Sequence, residues 1–234
     1  MRQDREIHME ISSVLLARFY GLFEIAELNR TGTVYYPEVA AGLVERYGFT
    51  KYPTKPEDFD ENKGIEFTGG RSGKRVIEKL VILSSGIYLD TGIDTAASEN
   101  LWFELMEWAV QTLGVSFTPE IVTRRVYVSS LVFRTDVPML ALHPMCAEIG
   151  RITSGQVEKN FGRTLDYEPA AISITFDPTV AKIGTAAFTV QRREGVPFDE
   201  NKYFSSAPLK TDTHLELLQM WESAIKTTSP LWIP

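Results

Sequence analysis

Apolar positions along the chain fall into segments of two periods, separated by turn residues. Met9 to Leu28 is apolar, free of proline, and rich in β-branched and aromatic residues such as Val14, Phe19, Tyr20, Phe23 and Ile25. A run of this kind fits a strand or a buried helix. Its composition and the turn signal at Asn29-Arg30-Thr31-Gly32 favour one long strand bent at Gly21, with an amphipathic helix as the alternative. A helix follows. Pro37 suits its first turn, Val39, Ala40, Leu43 and Val44 give it an apolar face, and Gly48 suits its C-terminal end. Residues 50 to 64, with Pro53, Pro56 and many charges, read as an exposed loop. Strands are expected at Ile65 to Thr68 and Val76 to Leu83, with a continuation at Ile87 to Asp90 and a hairpin loop at Gly69 to Gly73.

The clearest helical pattern runs from Ser98 to Leu113. Ser98 reads as its N-cap, with Glu99 in the first turn where the helix dipole favours an acid. Its polar stripe, Asn100, Glu104, Glu107 and Gln111, is narrow, so this helix must be covered on more than one side. Arg125 to Arg134 reads as a strand. Beyond it come a helix at Met139 to Ile152, strands at Ala171 to Phe176 and Ala187 to Gln191, and a capped amphipathic helix at Thr211 to Lys226.

The second half therefore repeats the order of the first. A shift of 113 residues lays Trp102 on Leu215, Leu105 on Leu218 and Trp108 on Trp221. The expected fold is α+β, an antiparallel sheet with helices packed on one face. It is built of two ferredoxin-like (βαββα) halves related by internal duplication, residues 1–118 and 119–234. The halves stand as two units or share one continuous sheet. Phe59-Asp60-Glu61-Asn62-Lys63 also recurs, as Phe198 to Lys202, at a spacing that does not fit the shift. Both copies read as polar loop segments.

Composition narrows the partners. The 234 residues carry a net charge of −7, which argues against nucleic acid, because phosphate binding needs clustered Lys and Arg. A single cysteine, Cys146, fits a reducing cytoplasm. No apolar run is long enough to span a membrane, and the charged N-terminus is unlike a signal peptide.

Chemical motifs are sparse. Gly73-Lys74 lacks the spacing of a phosphate loop, and Asp58, Asp60 and Asn62 begin a calcium loop that fails at Lys63 and Gly69. His143 and Cys146 make half of a zinc site with no second half, and Cys146 among Met145, Ala147 and Ile149 reads as a buried core thiol. No metal or cofactor is implied. These absences point to a non-enzymatic cytoplasmic interaction or assembly protein, a homo-oligomer such as a dimer or the partner of another protein. Trp102, Trp108 and Trp221 are its candidate interface residues, with core burial as the simpler reading of the helix tryptophans. The alternative is a binding protein or enzyme for a small anionic ligand, held between the halves by Arg124, Arg125, His143 and Arg151.

Overall fold

A computed structural model describes residues 9–30, 32, 34–140, 144–177, 179 and 186–228. These residues form a mixed α+β structure of four α-helices and eight strands. In chain order they are β1 (Glu10–Leu22), α1 (Tyr36–Tyr47), β2 (Ile65–Ser72), β3 (Arg75–Leu83), β4 (Gly86–Thr91), α2 (Thr95–Leu113), β5 (Arg124–Arg134), α3 (Pro144–Phe161), β6 (Ala171–Ile174), β7 (Phe188–Arg192), β8 (Lys202–Ala207) and α4 (Thr211–Thr228). The order β-α-β-β-β-α occurs twice, so each half has one strand more than the expected βαββα. The additional strands are β4, which folds back on β3 instead of continuing it, and β8, which pairs with β7.

The chain divides into a first unit, Val14–Ser129 with Pro208–Thr211, and a second, Met1–Ser13 with Ser130–Ala207 and Asp212–Pro234. Strands of the first unit lie in the order β2-β3-β4-β1-β5. The pairings β2 with β3, β3 with β4 and β4 with β1 are antiparallel. The strand expected from Met9 ends at Leu22, and a 3-10 turn at Ile25–Asn29 takes its place. Gly21 is a point of close approach. A Cβ there would lie 2.7 Å from the Trp102 ring. Alternation along β1 sends Ala17 and Phe19 into the core and leaves Arg18 and Tyr20 half-buried on the other face. Arg18 makes a two-pronged ion pair with its register partner Asp90, at 2.7 and 2.8 Å, and lies 4.0 Å over the Tyr88 ring.

Both helices of this unit bury their apolar stripes in one cluster with the strands. Ala40, Leu43 and Tyr47 come from α1, and Leu101, Trp102, Leu105 and Met106 from α2. Pro37 sits in the first turn of α1, and Gly48 closes it in the left-handed conformation, φ 62°. α2 begins three residues earlier than its sequence pattern indicates, because Asp94 caps it by accepting from the Ala97 N–H at 2.7 Å. Ser98 is instead an internal residue, fully buried, whose hydroxyl donates to the Ala17 carbonyl at 2.7 Å. Trp102 is fully buried too. It packs edge-on against Phe19 at 5.4 Å, and its Nε1–H donates to the Ile87 carbonyl at 3.0 Å. Thr95 and Thr211, 116 positions apart, exchange bonds: each backbone N–H donates to the other's hydroxyl oxygen, at 3.0 and 2.9 Å. That satisfies one orphan donor at the first residue of each helix. Gly69 and Gly70 lie inside β2, so the hairpin loop shrinks to Gly73-Lys74.

In the second unit the order is β5-β8-β7-β6, with β8–β7 and β7–β6 antiparallel. Its core gathers Leu131, Val132, Phe133, Met139, Leu140, Val190, Tyr203 and Leu218. Phe133 and Tyr203 stack at 5.5 Å, and the Tyr203 hydroxyl accepts from the Met139 N–H and donates to Asn201. Buried Glu222 accepts from the Thr135 hydroxyl and lies 3.5 Å from Lys226. α3 starts at Pro144, which occupies the first helical position instead of interrupting the helix. Its outer stripe is apolar and exposed: Met145, Ile149 and Ile152 are at least half accessible. Cys146 is exposed as well, against the expectation of a core thiol, because this first stretch of α3 is exposed all round, Met145 to Ile149 alike. Among the described residues no helix is long and apolar enough to cross a membrane.

Candidate ligand cavity

The first unit holds a cavity of about 280 Å³. Its walls come from every layer of the unit. Ile25 and Leu28 arrive from the 3-10 turn after β1, Val39 and Leu43 from α1, and Leu80 and Ile82 from β3. Met106, Trp108 and Ala109 come from α2. Short side chains at Ala26 and Ala109 leave room that larger residues would fill. The cavity accounts for the narrow polar stripe of α2. Leu101 and Trp102 face the sheet, while Trp108, Ala109 and Leu113 face the empty volume.

Besides the indole of Trp108, the polar side chains among the described lining residues are Asn29, Tyr36 and Glu61. Asn29 is fully engaged with the backbone of Val34, donating to its carbonyl at 2.8 Å and accepting its N–H at 2.9 Å. The Tyr36 hydroxyl donates to one carboxylate oxygen of Glu61. Burial first, and the hydrogen bond to Glu61 second, hold the Tyr36 phenol well above its ordinary pKa, so it remains a protonated donor. The second Glu61 oxygen has no hydrogen-bond partner among the described residues. Among the described residues no Lys, Arg or His lines the cavity. Arg46 stacks on the Trp108 ring at 5.2 Å without joining the lining.

The candidate residues from the sequence lie elsewhere, with one exception. Trp108 is half-buried and lines the cavity. Trp102, buried in the first-unit core, has no surface to offer a partner. Trp221 is half-buried in the second unit, 5.9 Å from the Phe188 ring. Arg124 and Arg125 are exposed at the start of β5, and Arg125 is paired with Glu99 at 2.8 Å and lies 5.1 Å over the Phe103 ring. Arg151 is exposed on α3 and paired with Glu148 at 2.5 Å. His143 lies outside the described residues. Neither described ion pair leaves its arginine as an uncompensated charge for an anion.

Tyr36 and Glu61 were invisible to local pattern. Tyr36 reads as the residue before a helix-starting proline, and Glu61 as part of the solvated loop of residues 50 to 64. Only the return of that loop along β3, where the Ser84 N–H donates to the Glu61 carbonyl at 2.9 Å, brings the carboxylate to the cavity.

A second polar pair, Ser205 and His214, is fully buried in the second unit. His214 Nε2 and Ser205 Oγ are 2.8 Å apart, and the Ser205 hydroxyl donates to the Thr189 carbonyl at 2.8 Å. A hydroxyl has one proton to give, so Nε2 carries the hydrogen and donates to Oγ. That tautomer cannot take a proton from the serine, and both groups are sealed from any substrate. Burial lowers the His214 pKa to about 4, so the ring is neutral at neutral pH. Among the described residues no three His, Cys, Asp or Glu side chains gather as a metal site. No protein-family model matches this chain, and no curated protein matches it in sequence.

Proposed function

We propose that this chain is a non-enzymatic binding protein whose first unit takes up a small apolar ligand. The observation that carries the reading is the cavity, a preformed apolar volume with a few convergent polar groups, the usual anatomy of a small-molecule site. Among the described residues no cation lines this cavity, so it does not suit the anionic ligand that the sequence placed between the halves. Naphthalene is the simplest probe. It should raise the melting temperature of the wild-type protein and leave Ala109→Phe unmoved, since a benzyl group on α2 occupies the same space. A wild-type melting temperature indifferent to saturating naphthalene sinks the reading.

The internal duplication belongs to this proposal, with β-α-β-β-β-α as the repeated unit, one strand longer than a ferredoxin-like half. Gly86 and Lys202 open strands of equal length, and their spacing is the 116 residues that separate Thr95 from Thr211. At that interval, three residues longer than the shift expected from sequence, buried Ser98 meets buried His214, Trp102 meets Leu218, and Met106 meets Glu222.

A second reading, cytoplasmic assembly with another copy or another protein, is supported by the exposed apolar stripe of α3. Light scattering over micromolar concentrations tests it. Association that weakens in Ile149→Asp agrees with it, and a monomer at all concentrations that retains no other protein contradicts it.

A further inference from the structure

Glu61 is the charged group among the described lining residues, and its surroundings decide what a ligand must bring. Tyr36 already supplies the donor for one carboxylate oxygen, and the other oxygen has no partner among the described residues. A ligand end placed there must itself donate. A ligand carboxylate would set two like charges side by side with no cation among the described lining residues, which raises the cost of burying either. Size follows from volume. An apolar cavity of about 150 Å³ takes benzene, so roughly ten to a dozen non-hydrogen atoms fit this one.

We infer that the cavity selects an apolar alcohol or amine of about ten carbons and turns away the fatty-acid anion of equal length. The chain lies against Ile25, Leu80, Met106 and Trp108, and the hydroxyl or ammonium donates to the open Glu61 oxygen. This inference rests on the ligand reading above and deepens it by naming the head group.

Calorimetric titration of the full chain near neutral pH with 1-decanol, decylamine and decanoate tests it. Decanol and decylamine should bind, and decanoate at least roughly tenfold more weakly, the scale of a hydrogen bond to a charged group. In Glu61→Gln, decylamine should lose roughly that factor and decanoate should gain, closing the gap. Tyr36→Phe keeps the charge and should keep the preference for the amine. Decanoate binding the wild type as tightly as decylamine overturns the inference, as does a preference that survives Glu61→Gln. If naphthalene also fails to bind, the cavity reading falls with it. If naphthalene binds while decanoate matches decylamine, the head-group inference falls alone.

Discussion

α1 and α3 hold the same place in the element order of their units, and their apolar stripes meet opposite fates. Ala40, Leu43 and Tyr47 recur at helical spacing and are all buried. Met145, Ile149 and Ile152 recur at the same kind of spacing and are all exposed. Among the described residues of α3, Gly150 alone is buried, where a Cβ would collide with the Tyr167 carbonyl. Helical periodicity therefore specifies a helix and a side, but not what covers the side. In the first unit the covering is a continuous aromatic cluster around Trp102, with Phe19, Phe23, Phe103 and Phe117 within 6.2 Å. In the second unit the described ring contacts are smaller groups, Phe133 on Tyr203 and Phe188 against Trp221 and His214, beside buried polar groups such as Glu222.

If the Trp102 cluster is what makes the first unit rigid, Trp102→Ala should carry the largest penalty in the molecule. Truncating a buried tryptophan costs about 3–5 kcal/mol, a large part of the total stability of a domain. The loss here includes the indole hydrogen bond to the Ile87 carbonyl, which is left without its donor. Urea unfolding followed by circular dichroism reads it directly. A cost below about 1 kcal/mol would mean that the cluster is not the centre of the unit. Next in size is Leu43→Ala on α1, at about 2–5 kcal/mol for a wholly buried leucine. It deepens the cavity as well, so part of its cost should return when naphthalene is present.

The second unit should be set apart by pH. His214 binds a proton near pH 6.5 when unfolded and only at about 4 when buried. The unfolded chain therefore holds more protons between those values. Stability is full above that window and is lost as pH falls through it. For this residue the loss by about pH 4.5 is on the order of 2–3 kcal/mol. Buried Ser98 of the first unit, by contrast, does not titrate. Comparing urea midpoints at neutral and acid pH for wild type and His214→Gln isolates the contribution. An equal acid loss in both proteins would assign the effect to other groups.

Much of this architecture could be read from local chemistry. The first-turn Pro37 and closing Gly48 fix α1, and the Val-rich run with Tyr127 and Phe133 fixes β5 at Arg124–Arg134. Misreadings arose where a local rule had two solutions. Ser98 is a good cap residue, but Asp94 stood nearer the true helix start, and the Ser98 hydroxyl found the Ala17 carbonyl, 81 residues away in sequence. β4 looked like an extension of β3 because Ser84 and Ser85 do not form a conspicuous turn pair, yet they suffice to reverse the chain before Gly86. The cavity was legible only as an excess of apolar residues on α2. Its polar end needs Tyr36 and Glu61, 25 positions apart, and no period or motif connects them.

The smallest expected effect bears most directly on the comparison. Ile149→Ala removes the same kind of side chain from α3 that Leu43→Ala removes from α1. Ile149 is 56% exposed, so its truncation should change stability by less than about 0.5 kcal/mol. Little burial is lost, and alanine is the better helix former, which offsets part of what remains. A cost above about 2 kcal/mol would show that the stripe is covered in solution. Protein concentration then decides by what. If the cost grows as the protein is made more concentrated, a second copy supplies the cover, since association stabilises the folded chain by mass action. A cost independent of concentration would mean that α3 is packed within its own chain, and the contrast with α1 would vanish.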